Sequence, residues 1–334
     1  KATEKIASVF SEQTPDEQLV SFASGERWTC AETLLRMQAM AGLLRDAGVA
    51  RGDRLPLWLP NGADLLQAWL ACAYLGAVAV PLNTDYRGAM LAHVLAECDA
   101  QLMLLHPKLV ERLSPVGAGV PGRLLVVGAG ARQVREMPSG AHAVEVLPVE
   151  GPAPPPAADL APWDLHMVIF TSGTTGPSKG VLCPYGHIYS TAQATYGYLG
   201  PDDTMLTELP VFHVGGAASI VAALCNDARL ALYPGFSTQD YWARINREGA
   251  TSTSGLIGSM ADFLAGSPPT EADRDNPLRM VTLMLTEQAI QVARRFGFSY
   301  LSGFNMTELS GPLIADTDSS VPGSLGRPRD GCAC

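Results

Sequence analysis

Apolar residues Leu34, Leu35, Met37, Met40, Leu43 and Leu44 recur at the spacing of one helical face, which predicts an amphipathic helix over residues 33–47. Gly48 stops it. Arg51-Gly52-Asp53 reads as a turn before a buried strand over 54–59; the same tripeptide could be read as an adhesion motif, but a turn before a strand fits its context. Pro60-Asn61-Gly62 turns the chain again, helical spacing returns over 63–75, and 76–81 reads as a short strand. A helix over 87–98 and strands over 102–105 and 123–127 follow. Strands alternating with helices of this length predict a mostly parallel sheet covered on both faces, and the right-handed crossover rule leaves few topologies for it.

Residues 150–161 contain Gly151, Pro152, Pro154, Pro155 and Pro156. Such a run continues neither a helix nor a central strand, so it is read as a stiff connector. The expected division is therefore a first α/β lobe over 1–155 and a second over 156–334. The second repeats the alternation: strand 167–170, helix 187–197, strand 205–210, helix 217–225, strand 229–233 and helix 241–248.

Composition narrows the class. With 334 residues, 47% hydrophobic and 17% charged, the chain can build two packed lobes. A formal net charge of −10 gives no basic footprint for nucleic acid, so an anionic ligand needs a local site. The seven cysteines are odd in number and scattered, which points to a reducing, cytoplasmic compartment. Cys332 and Cys334 have no companion pair to complete a zinc site. The most apolar stretch, 65–82, is broken by Gln67, Gly76 and Pro81, so no transmembrane segment is expected. Nor does the start show a secretory pattern.

The segment Ile169-Phe170-Thr171-Ser172-Gly173-Thr174-Thr175-Gly176-Pro177-Ser178-Lys179-Gly180 carries the most chemistry. Its three glycines let backbone approach a ligand, and its five hydroxyls and its amides can donate to phosphate oxygens. Lys179 adds a compact positive charge suited to a polyphosphate. A Walker loop needs glycine before the lysine and a hydroxyl residue after it; here Ser178 and Gly180 stand there.

The segment resembles the signature loop of the adenylate-forming superfamily of acyl-CoA synthetases, luciferases and peptide-synthetase adenylation domains. Three further stretches follow in that family's order: Leu209-Pro210-Val211-Phe212-His213-Val214-Gly215-Gly216, Gly303-Phe304-Asn305-Met306-Thr307-Glu308, and Pro322-Gly323-Ser324-Leu325-Gly326-Arg327-Pro328. The similarity covers nearly the whole chain and extends to the carnitine-CoA ligase-like branch, whose pocket wall the stretch from Ala250 to Met260 resembles, with Gly255 and Gly258 in it. The family usually has proline or another small residue where Ser178 stands.

The resemblance implies two α/β lobes with mostly parallel sheets packed together, a small distorted β-barrel portion, and a chain ending before the family's small C-terminal domain. It implies ATP-dependent activation of a small-molecule carboxylic acid to acyl-AMP, then thioester formation with coenzyme A, with Mg2+ as cofactor. Thr171, Ser172, Gly173, Thr174, Thr175, Gly176 and Lys179 would wrap the β- and γ-phosphates of ATP. Gly303, Phe304, Asn305, Met306 and Thr307 would close around the nucleotide, with Phe304 on adenine, Thr307 on the α-phosphate and Glu308 on Mg2+. Thr307, Glu308 and Lys179 are thus the catalytic candidates, and His213, Gly215, Gly216 and Gly255 the pocket candidates. Outside the motif, Phe304 would read as a core aromatic, Thr307 as a turn residue, Glu308 as a cap, and His213 as a structural histidine. The remaining histidines, His93, His106, His142, His166 and His187, receive no assignment.

Amino-acid-activating relatives carry an aspartate just after the aromatic residue of a comparable motif; here His213 follows Phe212, and a buried ammonium without a carboxylate is costly. An acid without an α-amino group is therefore expected. Two departures stand out. The family's C-terminal lysine and its ribose-binding aspartate do not occur, so the chain is expected to be part of a longer product. The glycine-rich adenine loop is replaced by Val281-Thr282-Leu283-Met284-Leu285-Thr286-Glu287, and residues are expected to be missing near Met284–Leu285. Two alternatives stay open: an acyl-AMP ligase loading a carrier protein, and a non-catalytic nucleotide-binding module. A homodimer is compatible with all three.

Overall fold

The computed structural model describes residues 15–116, 119–134, 139–144, 153–171, 177–330 and 332. The first elements in chain order are β1 (Gln18–Phe22), β2 (Arg27–Thr29), α1 (Cys30–Asp46), β3 (Arg54–Trp58), α2 (Ala63–Leu75), β4 (Val78–Pro81), α3 (Gly88–Cys98), β5 (Leu102–Leu105), β6 (Arg123–Val127) and β7 (Ala141–Val144). Then come β8 (Leu165–Thr171), β9 (Lys179–Pro184), α4 (Tyr185–Tyr196), β10 (Thr204–Thr207), α5 (Val214–Cys225), β11 (Arg229–Leu232), α6 (Tyr241–Glu248) and β12 (Ser252–Leu256). The last are α7 (Met260–Ala265), β13 (Met280–Leu283), α8 (Glu287–Phe296), β14 (Ser299–Leu301), β15 (Gly303–Met306), β16 (Leu309–Ile314) and β17 (Arg327–Pro328).

The elements gather into two compact units: 1–17 with 29–185, and 18–28 with 186–334. The sheet of the first unit runs β7-β6-β5-β3-β4-β8-β9. Its pairings are parallel except β8 with β9, which is antiparallel. Strands such as β5, buried along their whole length, carry the continuous apolar runs that a sheet covered on both faces requires. Trp58, Val80, Leu91, Val94, Met103, Leu105 and Val126 meet in its core. The helix expected over 33–47 is α1. It starts earlier because Thr29 and Glu32 form a reciprocal capping box: Glu32 donates its amide to the Thr29 hydroxyl at 3.2 Å and accepts the Thr29 amide at 2.8 Å.

The proline connector lies within this unit. Tyr74 in α2 donates its hydroxyl to the Pro154 carbonyl at 2.9 Å, and the Ala157 amide donates to the Tyr74 carbonyl at 2.7 Å. The units separate after Tyr185 instead of at the connector because β8 and β9, which follow the prolines, complete the first sheet.

The second unit's sheet runs β14-β13-β12-β10-β11-β1-β2, with β1 entering beside β11 in parallel, Val20 opposite Leu230. Its core includes Leu206, Ala231, Tyr241, Ile245, Val281, Leu283, Ile290 and Phe296. The small β portion is a three-stranded antiparallel sheet, β15-β16-β17. The glycine-free stretch after β13 runs directly into α8. The Met284 amide donates to the Leu256 carbonyl at 3.2 Å, the Gly323 amide donates to the Leu285 carbonyl at 3.0 Å, and the Thr286 hydroxyl caps α8 through the Ala289 amide at 3.1 Å. Among the described residues no helix is long and apolar enough to cross a membrane.

Candidate functional site

In the first unit, β8 and β9 form the two arms of a hairpin whose connection is the glycine- and hydroxyl-rich segment. Register places Ile169 opposite Val181, Phe170 opposite Gly180 and Thr171 opposite Lys179. Thr171 and Lys179 therefore stand side by side at its mouth, the first half-buried and the second exposed. The buried residues Met167, Val168 and Ile169 fix that mouth against the sheet. Ser172, Gly173, Thr174, Thr175 and Gly176 lie outside the described residues.

The returning arm is held from outside the hairpin. His93 Nε2, in α3, lies 2.8 Å from the carbonyl oxygen of Ser178, immediately before Lys179. The Tyr86 phenol faces the same residue: burial pushes its pKa up, and the Ser178 hydroxyl pulls it down.

In the second unit, β15 and β16 form another hairpin. Gly303 pairs with Ile314, Phe304 with Leu313, and Met306 with Leu309, leaving Thr307 and Glu308 as its two-residue turn. Phe304 is half-buried, and Met306 and Glu308 are exposed. Asn305 Oδ1 accepts the Gly311 amide at 3.1 Å across the register irregularity, so the asparagine serves the hairpin's shape. At the turn, His187 Nε2 lies 3.0 Å from the Thr307 carbonyl oxygen. A carbonyl only accepts, so this nitrogen carries the proton. Burial lowers the His187 pKa, and the Thr307 carbonyl works against that.

The third stretch follows β10, which stops earlier than its apolar run suggests. Beyond Thr207 the Glu208 and Leu209 amides both donate to the Ser254 hydroxyl, each at 3.1 Å, instead of to a neighbouring strand. That hydroxyl joins the 208–213 stretch to the end of β12, where Gly255 takes a φ of +122°. Glu208 is buried and meets Arg244 at 2.5 Å; burial raises its carboxyl pKa, and the guanidinium opposes the rise.

The chain then turns into α5, and His213 is its N-cap: Nδ1 accepts the Gly215 amide at 3.1 Å. This starts the helix at Val214, ahead of the expected 217. The His213 ring is exposed and has one nitrogen committed to the cap. Gly216 is buried against the backbone of Leu209 and Pro210.

Register thus brings Thr171 to Lys179, and strand pairing sets Phe304, Asn305, Thr307 and Glu308 along one hairpin. Sequence reasoning missed His93 and His187. Each grips a carbonyl 85 or 120 positions away, and no local pattern marks such a contact.

Residues 8–334 match the family described as AMP-binding enzyme. The chain belongs to this family. Among relatives of this AMP-binding enzyme, a sulfoacetate–CoA ligase of Cupriavidus necator is 28% identical over 97% of this chain and 64% of its own length. A crotonobetaine/carnitine–CoA ligase of Escherichia coli is 27% identical over 93% of this chain and 61% of its own. A benzoate CoA ligase structure from Burkholderia xenovorans LB400 superposes with a TM-score of 0.81 at 20% identity, over 98% of this chain and 66% of that one, which shows the shared fold. The chain thus spans less than two thirds of the length of the two CoA ligases.

Proposed function

We propose that the whole protein activates a carboxylic acid with ATP and transfers the acyl group to coenzyme A. The observation that carries this reading is membership of the AMP-binding enzyme family over residues 8–334, with CoA ligases as relatives along nearly the whole chain. In the first step a carboxylate oxygen attacks the α-phosphorus of ATP, the bond to the β-phosphate oxygen breaks, and pyrophosphate leaves. In the second the coenzyme A sulfur attacks the acyl carbon, and AMP departs. Coenzyme A as acceptor fits a cytoplasmic enzyme.

Two anions meet in the first step, so positioned donors and cations must offset their repulsion. Lys179, opposite Thr171, supplies positive charge to the β- and γ-phosphates, beside the amides and hydroxyls of Ser172–Gly176. Thr307 donates its hydroxyl to the α-phosphate, and Phe304, flanked by Gly303, Asn305 and Met306, stacks on adenine. Among the described residues no three His, Cys, Asp or Glu side chains cluster as a metal site. Mg2+ keeps several waters and is held by one or two carboxylates plus substrate phosphates. Glu308, exposed on its turn, is the carboxylate offered. When bound, the ion would neutralise charge on the departing pyrophosphate.

The acid pocket is assigned to the start of α5 and the end of β12, with His213, Gly215, Gly216 and Gly255 around it. Pyrophosphate exchange into ATP by the full-length protein, over a panel of acids that includes amino acids, tests the first step. Product analysis with coenzyme A or a carrier protein tests the acceptor. No exchange with any acid would leave a nucleotide-binding module, and thioester formed only on a carrier protein would select that acceptor. Light scattering tests for a homodimer.

A further inference from the structure

We propose that His187 is a positioning residue for the adenylation step: it holds the Thr307–Glu308 turn in place through the Thr307 carbonyl. This rests on the function proposed above, and it assigns a role to a histidine outside the motifs that carry the family resemblance.

A two-residue hairpin turn flanked by exposed residues is a poor platform for chemistry unless something fixes it. Met306 and Leu309, the last pair before the turn, are 44% and 43% exposed, so local packing does little. The turn's backbone is instead gripped by α4. His187 lies in that helix's first turn, half-buried, with Nε2 3.0 Å from the Thr307 oxygen. One helical turn further on, Ser190 supplies a second tie: Arg329 donates to its hydroxyl at 2.8 Å and to the Ser310 carbonyl of β16 at 3.0 Å. The hairpin is therefore fastened to one helix at its tip and beside it. Tethering the Thr307 carbonyl restricts that residue's peptide and so the direction of its hydroxyl, and it limits where the adjoining Glu308 carboxylate can go. Small misplacement of such groups costs rate more than it costs binding.

The test uses the full-length protein with two substitutions. His187→Gln keeps an N–H donor of similar reach, and His187→Leu removes it at comparable bulk. In pyrophosphate exchange, kcat should fall at least tenfold in His187→Leu while the KM for the acid stays within twofold, and His187→Gln should recover most of the loss. Hydrogen exchange of the 303–310 peptide should be several-fold faster in His187→Leu than in the unsubstituted protein, with His187→Gln between them. Unchanged kcat in His187→Leu overturns the proposal, as does equal loss of kcat and melting temperature in both variants. If the unsubstituted protein shows no exchange with any acid, the functional reading fails by itself. The hydrogen-exchange comparison then still decides whether His187 holds the turn, and unchanged protection overturns that too.

Discussion

His93 Nε2 and the Ser178 carbonyl oxygen lie 2.8 Å apart, which ties helix α3 to the returning arm of the β8–β9 hairpin one residue before Lys179. The family resemblance leads to proline or another small residue at this position, and proline's fixed φ would stiffen the chain by itself. Serine lacks that restraint, and an external hydrogen bond supplies one. Replacing His93 with leucine should weaken ATP binding about fivefold, the equivalent of roughly 1 kcal/mol for one hydrogen bond. Titration of the full-length protein with ATP checks this. An unchanged affinity would mean that the arm holds Lys179 without help.

Glu308 is the single acidic side chain on its turn, and its placement makes a sharper prediction. Glu308→Gln keeps the size and removes the charge that a hard cation prefers. Adenylation should drop roughly a hundredfold, about 3 kcal/mol of transition-state stabilisation, and its dependence on Mg2+ concentration should shift upward. Rates measured across a Mg2+ series separate this from a folding defect. Equal Mg2+ dependence in the variant would remove Glu308 from the metal.

The regular elements were legible where a residue's partner is close in sequence or where periodicity alone decides. The helix at 63–75 and the strands at 102–105 and 123–127 stand as expected, because helical spacing in the one and short apolar runs bounded by turns in the others leave little choice. Strands β1 and β2 were not anticipated. β1 gains its meaning from Leu230 and Ala231 across the sheet, a pairing that no window of sequence contains. A stiff connector such as the proline run marks a change of direction, and only sheet membership shows which unit the following strands join. Motif residues could be found by residue type and spacing, whereas His93 and His187 act through backbone atoms far along the chain.

Gly216 differs from its neighbour Gly215 in what a methyl group would meet. A Cβ on Gly216 would fall on the Pro210 carbonyl oxygen and 2.5 Å from that of Leu209, both fixed backbone. On Gly215 it would meet the Leu209 side chain at 3.1 Å and the His213 ring at 3.3 Å, both able to shift. Gly216→Ala should therefore cost about 1–3 kcal/mol of stability, as overpacking does, and should raise the KM for the acid by moving the start of α5. Gly215→Ala should be mild in both respects. Melting temperature and acid KM of the pair provide the check, and equal behaviour would count against the packing argument.

His166 supplies a prediction about acid. It is 2% exposed in β8, its ring centroid 5.1 Å from Trp69 and 4.6 Å from Tyr185, and neither ring nitrogen finds a hydrogen-bond partner among the described residues. Burial lowers its pKa from 6.5 to about 4. Between those values the unfolded chain takes up a proton that the folded chain refuses, so stability rises with pH across that window. The contribution is complete above about pH 6.5 and is lost as pH falls toward 4, a total of about 3 kcal/mol at 1.36 kcal/mol per pKa unit. His166→Phe keeps an aromatic ring between Trp69 and Tyr185 and removes the titrating group. Urea unfolding followed at pH 4.5, 5.5 and 7.5 should show a flatter acid slope in this variant, with stability at pH 7.5 equal to or above the unsubstituted protein, since two unpaired ring nitrogens no longer have to be buried. Parallel loss of stability in both proteins would show that the acid sensitivity comes from other groups.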